Sequence, residues 1–181
     1  MSGWKIAIAL LLFLTITPWR NAASAEMMVQ ACFSPQGKCS VHILREIELA
    51  KKELLVAVYA FTSDDLAQAL VQAKKRGVAV QVVVDREFDQ GNEKSKGKFF
   101  DVQKIPLRRI SGFKGKATEK DAGLMHQKFA VIDRRIVFTG SYNWTYSADN
   151  LNDENLLLFR DAGPLAEDYR KAFFHLWERK P

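Results

Sequence analysis

Histidine and cysteine are scarce in this chain: His42, His126 and His175 are its three histidines, and Cys32 and Cys39 its two cysteines. The histidines have no second ligand type clustered with them at metal-site spacing, and two cysteines without a neighbouring histidine pair fall short of a four-ligand zinc site. Neither a metal nor a cofactor is expected. A membrane-spanning run is also missing. Ile6 to Ile16 is apolar, but a helix needs ~20 such residues to cross ~30 Å of hydrocarbon. Lys5 precedes that run, and Pro18 and the small residues Ala22-Ala23-Ser24-Ala25 follow it. This is the pattern of a secretory signal peptide, residues 1–25, cleaved near Ala25 and leading to a periplasmic or secreted product. A retained anchor is the alternative. No internal repeat and no long low-complexity linker divides the remainder, so residues 26–181 are expected to form one domain.

Removal of Lys5 and Arg20 leaves 25 of the 27 basic residues against 21 acids, a formal charge of +4 for residues 26–181. That excess suits a polyanion, whether nucleic acid or an anionic membrane. Between Cys32 and Cys39 the segment Pro35 to Gly37 turns the chain back, and an oxidising compartment favours a disulfide there. Closing so short a loop contributes roughly 2–3 kcal/mol.

Leu54 to Phe61 and Val78 to Val84 are dense in β-branched and apolar residues and read as buried strands covered on both faces. Between them Leu66, Ala69, Leu70 and Ala73 recur at helical spacing, and Gly77 ends the pattern after Lys74-Lys75-Arg76. Val29 to Phe33 reads as an earlier strand. A helix capped by Ser40 follows it, with Ile43, Ile47 and Ala50 facing the core, so the order is β-α-β-α-β. Near the end Leu165, Tyr169, Ala172, Phe173, Leu176 and Trp177 form one helical stripe. Asp89 to Lys98 and Ser111 to Gly123 carry glycines and lysines and read as mobile basic surface. The second is a candidate substrate guide through Lys114, Lys116 and Lys120, because it leads into the stretch that carries chemistry.

That stretch runs from Met125 to Trp144. Apolar runs on either side of Asp133 to Arg135 imply two strands joined by a tight turn. Side chains alternate along a strand, so His126 and Lys128 project from one side, as do Ser141 and Asn143. A returning strand brings the four together: an imidazole, a fixed cation, a hydroxyl and an amide. This set suits a phosphodiester, with the imidazole attacking phosphorus while Lys128 and Asn143 offset charge on the non-bridging oxygens. A nucleophilic histidine needs its other nitrogen held by an acceptor. Glu154, Asp149 and Asp153 are all candidates by spacing, and a solvated loop acid is the plain reading of each. His42 and His175 fall inside helices and read as structural or surface residues. Tyr142 and Trp144 flank Asn143 and are candidate base platforms, with core packing the competing role for one of them. Tyr59 and Phe61 read as core.

The run H-x-K-x-x-x-x-D at His126, Lys128 and Asp133, followed by G-S-x-N at Gly140, Ser141 and Asn143, resembles the signature of the phospholipase D superfamily. The single motif, the leader, the Cys-Phe-Ser-Pro start and the small size resemble its bacterial periplasmic endonuclease branch. The resemblance implies an α/β fold with a mixed β-sheet flanked by helices on both faces. It implies metal-independent hydrolysis through phosphohistidine, with Glu154 orienting the histidine and Lys128, Asn143 and Ser141 binding phosphate. Asp133 and Gly140 support the motif. Members with two motifs pair two histidines; here no second H-x-K exists, so a homodimer sharing one centre is implied. The expected substrate is DNA or RNA. A lipid phosphodiesterase using the same site and a non-catalytic nucleic-acid binder are the alternatives.

Overall fold

The computed structural model describes residues 26–113 and 123–179. Alternating burial turns the apolar runs into a single sheet with two working faces. The elements are β1 (Met28–Ser34), α1 (Cys39–Leu49), β2 (Glu53–Val58), α2 (Asp64–Lys75), β3 (Ala79–Asp85), α3 (Arg86–Gly91), α4 (Gly97–Val102), β4 (Leu107–Ile110), β5 (Lys128–Ile132), β6 (Ile136–Gly140), α5 (Tyr146–Asn150), β7 (Glu154–Arg160) and α6 (Gly163–Glu178). The sheet order is β1-β7-β6-β5-β2-β3-β4. The β2-β3 and β3-β4 pairs are parallel and the rest antiparallel, so the sheet is mixed, as expected.

Leu54, Val56 and Val58 turn towards α1 and α2, where Ile43, Ile47, Leu66 and Leu70 meet them. Leu55 and Ala57 turn to the other face, where α6 supplies Ala166, Phe173 and Leu176. Helices therefore cover both faces, and β2 is buried on each side. A disulfide joins Cys32 at the end of β1 to Cys39 at the start of α1.

Three sequence expectations need correction. Ser40 is not the cap of α1: Lys38 is, in the left-handed region at φ 50°, and Ser40 lies inside the first turn. There its backbone N–H (3.0 Å) and hydroxyl (2.7 Å) donate to Asp149 of α5, so a distant carboxylate does the capping. Ala172 is exposed, because the buried stripe of α6 runs through Ala166, Phe173 and Leu176 and leaves it on the flank. Asp89 to Lys98 is not a mobile loop. Buried Asp89 gathers it, accepting from the Ser95 hydroxyl, from Gly97 N–H at 3.0 Å and from Arg109 at 2.6 Å. A Cβ on Gly97 would lie 2.1 Å from the Asp89 carboxylate, so only glycine admits this approach.

Candidate active site

The β5-β6 hairpin closes on three residues, Asp133 to Arg135, with Asp133 at φ 51°, Arg134 at φ 58° and Arg135 N–H donating to Ile132 O at 3.1 Å. Positive φ at both central positions matches the twist of paired strands but is costly for residues other than Gly, Asn or Asp. Asp133 offsets the cost. Its carboxylate accepts the backbone N–H groups of Lys51 (2.8 Å), Lys52 (2.7 Å) and Glu53 (3.0 Å), pinning the hairpin to the start of β2.

At the other end of the hairpin the chain enters β5 through Met125, His126 and Gln127. Asp85, 1% exposed, holds Met125 N–H at 2.9 Å with one oxygen and caps α3 through Phe88 N–H at 3.0 Å with the other. Tyr59 N–H donates to Gln127 O at 2.8 Å. Thus His126 is exposed, yet the residues on both sides of it are anchored. Lys128 is half-buried and donates to His126 O at 2.8 Å. Burial pushes its ammonium pKa down, while the charge of Glu154 works in the opposite direction.

β6 delivers the second half of the cluster. Gly140 has φ 143°, and a Cβ there would sit 2.3 Å from Asn155 O, so a side chain would force β6 from β7. Ser141 donates to Glu154 at 2.5 Å and accepts Asn155 N–H at 3.1 Å. The Asn143 carbonyl accepts Ala60 N–H at 3.3 Å, which leaves its NH2 as the group for an incoming anion. The second oxygen of Glu154 accepts from Asn152 at 3.2 Å. His126, Lys128, Gly140, Ser141, Asn143 and Glu154 line one open cleft of about 370 Å³. Chemically it offers an exposed imidazole, a cation and two neutral polar groups around a space large enough for a phosphodiester.

A family model described as "Cardiolipin synthase, PLD-like domain" matches residues 43–177. This chain belongs to the phospholipase D superfamily. Nuc from Salmonella typhimurium, a phospholipase D family member, has a similar structure: 33% identity and a TM-score of 0.75 over 84% of this chain and 95% of that one. NucT from Helicobacter pylori is similar at 29% identity and TM-score 0.78, over 84% and 97%. Phospholipase D of Rickettsia prowazekii is 33% identical over 147 residues, 81% of this chain and 66% of its own length. Mitochondrial cardiolipin hydrolase of Homo sapiens is 33% identical over 149 residues, 82% of this chain and 53% of its own. The chain therefore spans just under two thirds of the first of these relatives and about half of the second.

Within this superfamily fold, some site expectations change. Trp144 is 1% exposed and packs edge-on against Phe61, so it is core and not a base platform. Tyr142 is equally buried, its hydroxyl donating to Asp149 at 2.6 Å; burial first, and then that carboxylate, raise the phenol pKa far above its usual value. Neither lines the cleft. Phe61 is core as expected, but Tyr59 is only half-buried. Its ring lies 4.8 Å from that of His126 and 5.2 Å from Phe88, with the Lys128 ammonium 5.1 Å from its centre. It stands just beyond the last residue of β2, opposite the start of β5, a strand end that the apolar run to Phe61 does not mark. Asp85 was also missed, although an aspartate between an apolar strand and a helix start is an N-cap pattern. Lys114, Lys116 and Lys120 lie outside the described residues, as do residues 1–25, where a leader is expected.

Proposed function

We propose that this protein is a secreted, metal-independent endonuclease that hydrolyses phosphodiester bonds of DNA or RNA through a covalent phosphohistidine, in a centre shared by two copies of the chain. The observation that carries this reading is the convergence of His126, Lys128, Ser141 and Asn143 on one open polar cleft. A neutral His126 nitrogen attacks phosphorus, and the bond to the leaving oxygen breaks as a P–N bond forms. Lys128 and the Asn143 NH2 stabilise the non-bridging oxygens, whose charge grows towards the transition state. The leaving alkoxide takes a proton from the partner subunit's His126. Water then attacks the phosphohistidine and returns a proton to that second imidazole, which restores both histidines. Glu154 serves as the carboxylate that orients an imidazole of this centre.

Two features support a pair of chains. The cleft holds one histidine, while the chemistry uses a base-like nucleophile and an acid at once. Val29 and Phe33 of β1, 55% and 66% exposed, form an uncovered apolar strip on the α6 face that ends beside Glu154. A second copy seated there would cover it. The disulfide fits an oxidising compartment outside the cytoplasm.

The names of the relatives favour a second reading, hydrolysis of a lipid phosphodiester by the same groups. One experiment separates the two: plasmid DNA and phospholipid vesicles are each incubated with the protein in excess chelator. Loss of supercoiled plasmid is the expected result. Headgroup release without any nucleic-acid cleavage would transfer the assignment to the lipid reaction.

A further inference from the structure

Strand polarity sets the two ends of the sheet apart. Lys128, Gly140 and Glu154 lie at the end where β5 and β7 begin and β6 finishes; the opposite end carries the α1-β2, α2-β3 and β5-β6 connections. These three connections adjoin one another: Ala79 N–H donates to Lys52 O at 2.9 Å, and Asp133 holds the backbone of residues 51–53. With the adjoining ends of α2 and β2 they carry Lys51-Lys52, Lys74-Lys75-Arg76 and Arg134-Arg135, seven cations against the two acids Glu53 and Asp133. That is an excess of +5 within these segments, and Asp161, which pairs with Arg135, lowers it by one. Neither acid is free, since Glu53 pairs with Arg134 and Arg170 and Asp133 is taken by backbone. Among the described residues Lys51, Lys52 and Lys75 are exposed and have no carboxylate partner.

Apolar groups stand beside the cations. A cleft of about 560 Å³ at this end is lined by Met28 and Leu49, by four cations with Lys51 among them, and by the acids Glu46, Asp133 and Asp161. Met28 and Leu49 are 55% and 56% exposed. Met28, opposite Arg160, begins β1 at this same end.

We propose that this basic end seats the protein on an anionic phospholipid bilayer, with Met28 and Leu49 entering the headgroup region and the catalytic cleft directed away from it. Clustered lysines and arginines beside exposed apolar side chains are the makings of an interfacial contact. A nucleic acid would gain from the cations but not from the methionine and leucine. Five residue steps separate Lys128 from Asp133, which at about 3.3 Å per step places the cleft roughly 17 Å from this end. The cleft then faces soluble polymer and not the leaflet that holds the protein.

The test uses the full chain with phosphatidylcholine vesicles, prepared with and without phosphatidylglycerol, and reads the bound fraction by sedimentation. The comparison is with a Lys51→Gln, Lys52→Gln, Lys75→Gln triple variant; residues 1–25 are common to both proteins, so the difference reports the basic end. Phosphatidylglycerol should increase binding of the unaltered protein. The triple variant should bind those vesicles on the order of 100-fold more weakly, with an unchanged circular dichroism spectrum. Equal binding by the two proteins overturns the proposal. So does a triple variant that keeps its vesicle affinity but loses affinity for plasmid DNA in a His126→Asn background, an outcome that assigns this end to nucleic acid. Vesicle binding requires no cleavage, so failure of the endonuclease reading would leave this result intact.

Discussion

Asp133 stands in the motif with His126 and Lys128 but at the opposite end of the hairpin, with its carboxylate spent on three backbone N–H groups. Its effect on chemistry is therefore through register. Asp133→Asn should keep the shape, weaken those charge-assisted bonds and cost roughly 1–3 kcal/mol in urea unfolding. Activity per folded molecule should stay close to that of the unaltered protein; a large loss of kcat at full foldedness would show that Asp133 acts on substrate. Tyr59 should behave in the opposite way. It is a positioning residue, its ring set against both His126 and Lys128. Aromatic and cation–π contacts of ~0.5–1.5 kcal/mol make Tyr59→Leu about tenfold slower in kcat with little change in KM, while Tyr59→Phe restores the rate. Equal losses in the Phe and Leu variants would point to the hydroxyl instead. Position 59 could not be settled from sequence, because the apolar run ending at Phe61 does not reveal that the strand stops at Val58 and the next side chains part company.

At the scale of elements, periodicity was a dependable guide wherever one face was buried. β1, β3, the β5-β6 hairpin and α6 fall where apolar runs or helical spacing put them, while β2 stops at Val58, three residues short of the expected Phe61. Termini and loops were less legible, because their partners are remote in sequence. α1 has no acid in its first turn and no side-chain cap of its own; Asp149 supplies both functions across 109 positions. The Asp89 segment looked like a loop because nothing in its lysines and glycines announces a buried carboxylate that meets Arg109. Burial alone would raise the Asp149 pKa, but hydrogen bonds from the Ser40 hydroxyl, Tyr142 and the Ser40 backbone outweigh it and hold the carboxyl below its usual value. The stabilisation from Asp149 is thus present above the unfolded pKa, about 3.9, and is lost as pH falls through the lower folded value. Asp149→Asn should cost roughly 1–2 kcal/mol near neutrality. In urea titrations the gap between the two proteins should hold down to about pH 4 and narrow below it; a gap that widens on acidification would contradict the assignment.

The whole molecule poses a question of number, since one motif per chain leaves one histidine per cleft. Mixed subunits answer it. When unaltered and His126→Asn chains are exchanged in equal amounts, a centre shared by randomly formed C2 pairs should make activity follow the square of the unaltered fraction, falling to roughly one quarter. Independent sites give one half. The charge distribution at this scale was hidden in the sequence, where the three basic clusters are separated by helices and strands and only the sheet order brings them to one end.

That sheet order also has a temporal meaning. β1, made first, cannot take its place until β7, the last strand made, has arrived to separate it from β6. Glu154 opens β7, so no shorter nascent chain holds both carboxylate and histidine in a finished sheet. The cleft is thereby assembled late: its carboxylate can join the imidazole only once β7 has been made.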